Sequence, residues 1–347
     1  MIGFHYHYRL FTFHISEKFT KKMNEIEKKW CANILADLGH SFKGDELLLA
    51  EASHRKFYRL YTETNSLVFM VSPPSLENNN QFIKLSKLFL SFDLPVPQIL
   101  HFEAEQGYFL MDDLGTTRFE DVYGTSTEEY AIKSAISALY EFQKISDPII
   151  PNYTAQRLAE ELSIFDNWVI DDCLDNDIPK VMETPASKKL IAQAMEQPQV
   201  CIHRDYHCRN LLFENGRLGI VDFQDALIGP GFYDLASLLC DCYHYFSFTK
   251  IDQYLSFYLK ESDLFREIPF DTAKGWLVMT ASQRQIKAIG IFVRLYLRDN
   301  KPSHLRYIPQ VMEALIQQIE DYPDLESLQE LLIAVKNPLT EKIQHYL

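Results

Sequence analysis

The stretch Cys201-Ile-His-Arg-Asp-Tyr-His-Cys-Arg-Asn-Leu-Leu-Phe213, followed by Gly219-Ile-Val-Asp-Phe-Gln-Asp225, sets two carboxylates and a carboxamide at telling intervals. His203, Asp205 and Asn210 read H-x-D-x-x-x-x-N, and Asp222 ends a short apolar run. Phosphoryl transfer asks little covalent work of a protein. It needs a divalent cation held on the phosphates and a carboxylate beside the attacking hydroxyl. Asp205 suits the second task, accepting the hydroxyl's proton, while Asn210 and Asp222 supply the hard oxygen donors that Mg²⁺ prefers.

An Asp ahead of an Asn is common by itself, so the elements around the motif decide its weight. Gln199 to Ile202 and Asn210 to Phe213 are apolar or β-prone, Glu214-Asn-Gly216 is a strong turn, and Leu218 to Val221 reads as a further strand. A hairpin therefore carries both pieces. Upstream, Leu47 to Ala50, Phe57 to Thr62 and Leu67 to Val71 read as antiparallel strands, and Asn78 to Phe92 as a helix closed off by Pro95 and Pro97. Two more strands flank a turn at 103–106, the second running from Tyr108 into Asp112-Asp-Leu-Gly115, a connecting hinge. Beyond it helices dominate: one opened by a capping box at Ser126 and Glu129, then 154–174, 186–196, 232–247, 250–262, 271–298, 307–320 and 323–335. The expected fold class is α+β. A small antiparallel β-rich lobe over 23–114 precedes a larger helical lobe over 115–347, with 1–22 as an N-terminal extension.

Length and composition fit that division. A chain of 347 residues, 47% of them apolar, exceeds one ordinary domain and can bury a large core. Its 34 basic and 48 acidic residues leave a net charge of −14, which argues against nucleic acid or an anionic membrane as partner. The six cysteines show no C-x-x-C pair and no metal-ligand spacing, as expected of reduced thiols in a cytoplasmic protein. Residues 1–22 have neither the apolar core nor the cleavage site of a signal peptide, and no run reaches the roughly 18 apolar residues of a membrane span.

These residues resemble the aminoglycoside phosphotransferase/choline kinase family of protein-kinase-like enzymes. Within it they are most similar to the bacterial anomeric kinases of N-acetylmuramate and N-acetylglucosamine, which serve peptidoglycan recycling. The resemblance runs from about residue 25 to the end. It is carried by Ser53 to Arg59, Val68 to Pro74, Met111 to Gly115, His203 to Leu211, Val221 to Ala226, Gly229 to Leu239, Ser282 to Lys287 and Gly290 to Leu295. It implies ATP and Mg²⁺ as cofactors, Asp205 as catalytic base, Asn210 and Asp222 as metal ligands, and adenine received by backbone groups at Met111 and Asp112. Asp234 is similar to the acid that pins the catalytic loop in this family, and His203 to a histidine that braces it.

Two departures bear on the phosphates. Leu67 to Val71 lacks the lysine such kinases carry on their third strand, and Ala52-Ser-His-Arg-Lys56 has no glycine. Arg55 or Lys56 is expected to supply the missing cation, and Glu77 is left without an evident partner. The stretch after Trp276 is basic for so acidic a chain, with Arg284, Lys287, Arg294, Arg298, Lys301 and Arg306 against Asp299 alone. Arg284 and Lys287 share a helix face and are the candidate substrate contacts. An aminoglycoside or choline site would want acids there, so a neutral or anionic small-molecule sugar is the favoured acceptor. The alternatives are an aminoglycoside or other small-molecule phosphotransferase of the same fold, or a nucleotide-binding pseudokinase. Oligomeric state is not legible in the sequence.

Overall fold

Asn24 starts the first helix, α1 (Glu25–Asp37), through a reciprocal cap. Its side chain accepts from Glu27 N, and Glu27 returns a carboxylate oxygen to Asn24 N. The structure, a computed structural model, describes residues 22–48, 54–174 and 178–347. Residues 1–21 of the N-terminal extension expected over 1–22 lie outside them, as do Ala52 and Ser53. The described residues form two compact units, one reaching to Glu77 and including Leu100–Asp113, the other comprising Asn78–Ile99 and Leu114–Leu347.

The first unit is an antiparallel sheet covered by α1. Strands β1 (Gly44–Leu48), β2 (Lys56–Tyr61), β3 (Ser66–Val71), β4 (Ile99–Glu103) and β5 (Tyr108–Asp112) run in the order β1-β2-β3-β5-β4. Side chains alternate across a strand, so Tyr58, Leu60, Leu67, Phe69 and Leu110 reach one core with Cys31 and Leu35 of α1. Trp30 packs on that core, its ring 5.4 Å from Phe69 and edge-on to Tyr108 at 5.5 Å.

The second unit begins with α2 (Asn79–Leu90). The sequence division at residue 114 assigned this helix to the β-rich lobe, but its apolar face belongs to the second unit. Phe82 stacks on Phe223 at 5.2 Å, Phe89 meets Phe142 and Phe223 edge-on, and Gln81 Nε2 donates to Ile149 O. Helices α3 (Phe119–Val122) and α4 (Glu128–Gln143) follow. The capping box expected at Ser126 and Glu129 does not form. The helix begins at Glu128, whose own carboxylate accepts from Gly124 N.

Next come α5 (Ala155–Phe165), α6 (Pro185–Glu196), β6 (Gln199–Ile202), β7 (Leu211–Glu214), β8 (Arg217–Ile220) and β9 (Leu227–Pro230). Strands β7 and β8 make the expected hairpin, turned by Asn215 and Gly216 at φ +51° and +76°. The first predicted strand is not part of it: β6 pairs with β9, which the sequence reading left out. Helices α7 (Tyr233–Leu239), α8 (Phe248–Glu261), α9 (Phe270–Asp299), α10 (Ile308–Gln318) and α11 (Glu326–Ile343) complete the unit. The helix expected over 232–247 stops early because Asp241 turns back to accept from Tyr243 N.

The long helix α9 sets the position of everything near it. It passes α5 where that helix widens into the π-helical turns of Asp166–Leu174. A Cβ on Gly290 would lie 2.7 Å from Phe165 N, so glycine is what permits the approach. Gly290→Ala should therefore lower stability by about 1–3 kcal/mol. Gly275→Ala, in the same helix with nothing within 4 Å of its added methyl, should raise it by about 0.5–1 kcal/mol. Thermal melts of the two variants check the contrast, and equal effects would show that the helices do not meet so closely.

Candidate active site

Loop 203–210 joins β6 to β7 and is held from below by one carboxylate. Asp234, buried in the first turn of α7, accepts from His203 N at 2.5 Å and Arg204 N at 2.8 Å. Burial pushes its carboxyl up to about 6 against the pull of His203 and those two N–H groups. The bonds hold Arg204 at φ +80°, a conformation that costs a non-glycine residue of order 1 kcal/mol or more. His203 braces the same loop, with Nε2 3.0 Å from Val221 O and Nδ1 3.3 Å from Asp205 N. Asp241 adds a third anchor by accepting from Cys208 N.

These anchors hold the loop so that Asn210 lies between Asp205 and Asp222. Asn210 Nδ2 donates to Asp205 O at 3.0 Å and lies 3.4 Å from Asp222 Oδ2, so the motif residues and the later acid do come together. Asp222 is held at φ +66°, with Gln224 Nε2 donating to its other oxygen at 2.7 Å. Behind it, Phe223 is clamped between Phe82 and Phe89 of α2. The carboxamide oxygen of Asn210 and a carboxylate oxygen of Asp222 are the kind of donors that suit a small hard cation, one that keeps several waters and binds phosphate oxygens as well.

Asp205 sits in a cationic setting. Burial by itself would raise its carboxyl, but Lys287, His207 and Arg204 outweigh that and hold it below the usual carboxylate range. The cations are organised by Glu161 on α5, 5% exposed, which the sequence reading did not single out. It pairs with Arg204 NH2 at 2.7 Å and Lys287 Nζ at 3.3 Å, and Tyr153 donates its hydroxyl to it. Lys287 Nζ also donates to Tyr233 Oη at 2.7 Å. Of the basic stretch beyond Trp276, Arg284 and Lys287 are the buried members, at 9% and 8% exposure. Arg298 by contrast pairs with its neighbour Asp299 at the surface.

The phosphate-side candidates lie in the first unit and are described there alone. Arg55 is buried and pairs with Glu77 at 3.2 Å while its Nε donates to Ser72 Oγ, which gives Glu77 the partner the sequence reading could not find. Lys56 opens β2, and Met111 and Asp112 close β5. The next residue, Asp113, takes a two-pronged bond from Arg59 at 2.6 and 3.2 Å and another from Ser66 Oγ. Among the described residues no cluster of three or more His, Cys, Asp or Glu side chains could enclose a metal, all six cysteines are unpaired, and no helix is long and apolar enough to cross a membrane.

Residues 46–267 match the model of the phosphotransferase enzyme family. The chain belongs to it. The phosphotransferase is 32% identical over 291 residues to an N-acetylmuramate/N-acetylglucosamine kinase of Pseudomonas putida, spanning 82% of this chain and 86% of that one. A kinase of the same name from Pseudomonas aeruginosa is 33% identical over 296 residues, covering 82% and 87%. Among solved structures, an ADP-bound aminoglycoside phosphotransferase has the same fold at a TM-score of 0.55 and 13% identity, over 83% of this chain and 97% of that one. A protein-kinase-like α+β fold, with its small antiparallel sheet and larger helical part, is thus what the sequence led us to expect.

The Glu161 network makes a pH-dependent forecast. Burial would raise its carboxyl, but Lys287 and Arg204 bring it down to about 2 from 4.5. A carboxyl lowered on folding contributes stability that is complete above the unfolded value and fades as pH falls through the folded one. Glu161→Gln should thus cost on the order of 3 kcal/mol at pH 7, with the gap to the parent shrinking as denaturant melts are taken down to pH 3. A gap that stays constant would show that Glu161 is not the ionised partner.

Proposed function

We propose that this phosphotransferase moves the γ-phosphoryl group of ATP to the anomeric hydroxyl of N-acetylmuramate or N-acetylglucosamine. The observation that carries the choice of acceptor is the charge around Asp205: Arg204, Arg284 and Lys287 are buried or half-buried near it. An aminoglycoside or choline, being a cation, would be repelled there, whereas a neutral or acidic sugar would not. The names of the two Pseudomonas relatives agree with that charge.

In this reading Asp205 orients the acceptor hydroxyl and takes its proton as the oxygen attacks the γ-phosphorus and the bond to the departing diphosphate breaks. Its lowered carboxyl keeps it ionised and ready. Asn210 and Asp222 would hold Mg²⁺, which when bound offsets charge on the phosphates. Arg55 or Lys56 supplies the cationic contact to the nucleotide in place of the absent third-strand lysine, and backbone groups at Met111 and Asp112 take adenine. Lys287 and Arg284 stand on the acceptor side. A lobe boundary at residue 114, with α2 counted in the second unit, and a cytoplasmic location in peptidoglycan recycling belong to the same proposal. A pseudokinase is disfavoured because Asp205, Asn210 and Asp222 are all retained, with the Asn210 amide donating to Asp205 O and lying 3.4 Å from Asp222 Oδ2.

Asp205→Asn should keep ATP affinity yet lose about 10²–10⁴-fold in kcat, since a carboxamide fills the space without accepting the proton. Asp222→Ala should weaken Mg²⁺-ATP binding as well as rate. ATP consumption measured over a panel of amino sugars, aminoglycosides and choline tests the whole reading. Turnover with the amines alone, or near-native kcat in Asp205→Asn, would defeat it.

A further inference from the structure

Arg284 and Lys287 differ in one respect that their shared helix face hides. Lys287 is already satisfied, donating to Tyr233 Oη at 2.7 Å and pairing with Glu161 at 3.3 Å. Arg284 is buried to nine-tenths of its surface, yet it makes no hydrogen bond and no ion pair among the described residues, and its Nε is a buried donor without an acceptor. Among the described residues its guanidinium lies over the ring of Tyr233, whose centroid is 5.2 Å from the guanidinium carbon.

A buried guanidinium left this way is costly, because desolvation is not offset by an acceptor. The carboxylates around it are committed elsewhere. Asp234 holds His203 N and Arg204 N, Asp241 holds Cys208 N and Tyr243 N, and Glu161 holds Arg204 and Lys287. Asp205, which also acts on Arg284 electrostatically, is reserved for the acceptor hydroxyl. The fully buried ring of Tyr233 is itself fixed, edge-on to Tyr153 at 5.5 Å. Stacking on a ring leaves the in-plane N–H fork of an arginine free, and that fork matches a carboxylate with two parallel bonds.

We propose that Arg284 receives the carboxylate of an acidic acceptor sugar and so sets the preference between an acid-bearing and a neutral N-acetylhexosamine. Lys287 is a positioning residue beside it, holding Tyr233 in place. The inference rests on the sugar-kinase reading above. N-acetylmuramate carries a lactyl carboxylate that N-acetylglucosamine lacks, so the pair isolates this one group.

The test is kcat/KM for both sugars with the full-length parent, Arg284→Gln and Arg284→Lys. The ratio of the acidic to the neutral sugar should fall roughly 10–150-fold in Arg284→Gln, the fold-change equivalent to a hydrogen bond with a charged group. Arg284→Lys should recover part of it. Thermal melts give a second readout: removing an unpaired buried charge should leave the ligand-free protein at least as stable as the parent, whereas a structural arginine would lower its Tm. N-acetylmuramate alone should then raise the Tm of the parent more than that of Arg284→Gln. An unchanged ratio, with both sugars weakened alike or neither, overturns this inference and leaves the kinase reading standing. A parent that phosphorylates neither sugar overturns both.

Discussion

One buried carboxylate fixes the backbone on which the chemistry depends. Asp234 ties down the consecutive N–H groups of His203 and Arg204, and that pair of hydrogen bonds keeps Arg204 at positive φ where the chain leaves β6 for Asp205. A charge this deep is hard to keep, and its carboxyl is accordingly raised. The two charge-assisted bonds and the helix N-terminus it occupies are what hold it there. From this anchor the rest follows in order: His203 braces the loop, Asn210 reaches back to Asp205 O, and Asp222 lies against Asn210.

A second carboxylate manages charge rather than shape. Arg204 and Lys287 would crowd Asp205 if left to themselves, and Glu161 takes up both. The net result is a carboxylate at Asp205 that stays ionised inside a cationic surround, with Arg284 left over. The close passage of α5 and α9 at Gly290 puts Glu161 and Lys287 within reach of each other, so a packing detail at a glycine becomes an electrostatic property of the site.

The parts legible in the sequence were those with local causes. The hairpin of β7 and β8 was announced by Asn215-Gly216. The proximity of Asp205, Asn210 and Asp222 could be read because their spacing lies within one loop and one strand end. Contacts that close over long separations were missed. Glu161 looks like any helix acid until α9 is placed beside it, Glu77 had no evident partner until Arg55 turned inward, and β9 has no signal apart from β6. The grouping of α2 with the second unit was hidden for the same reason, since Phe82 and Phe89 find Phe223 only in three dimensions. The overextended helix at 232–247 shows the reverse error, where apolar periodicity ran on past an Asp that turns back on the backbone.

The account claims above all that the phosphoryl group goes to a sugar's anomeric oxygen. Phosphorus–proton coupled NMR of the product, formed from ATP, Mg²⁺ and N-acetylglucosamine or N-acetylmuramate with the full-length protein, reads this directly. The account predicts a phosphomonoester whose phosphorus couples to the anomeric proton; coupling to the C6 protons instead, or ATP consumed with no sugar phosphate formed, would contradict it.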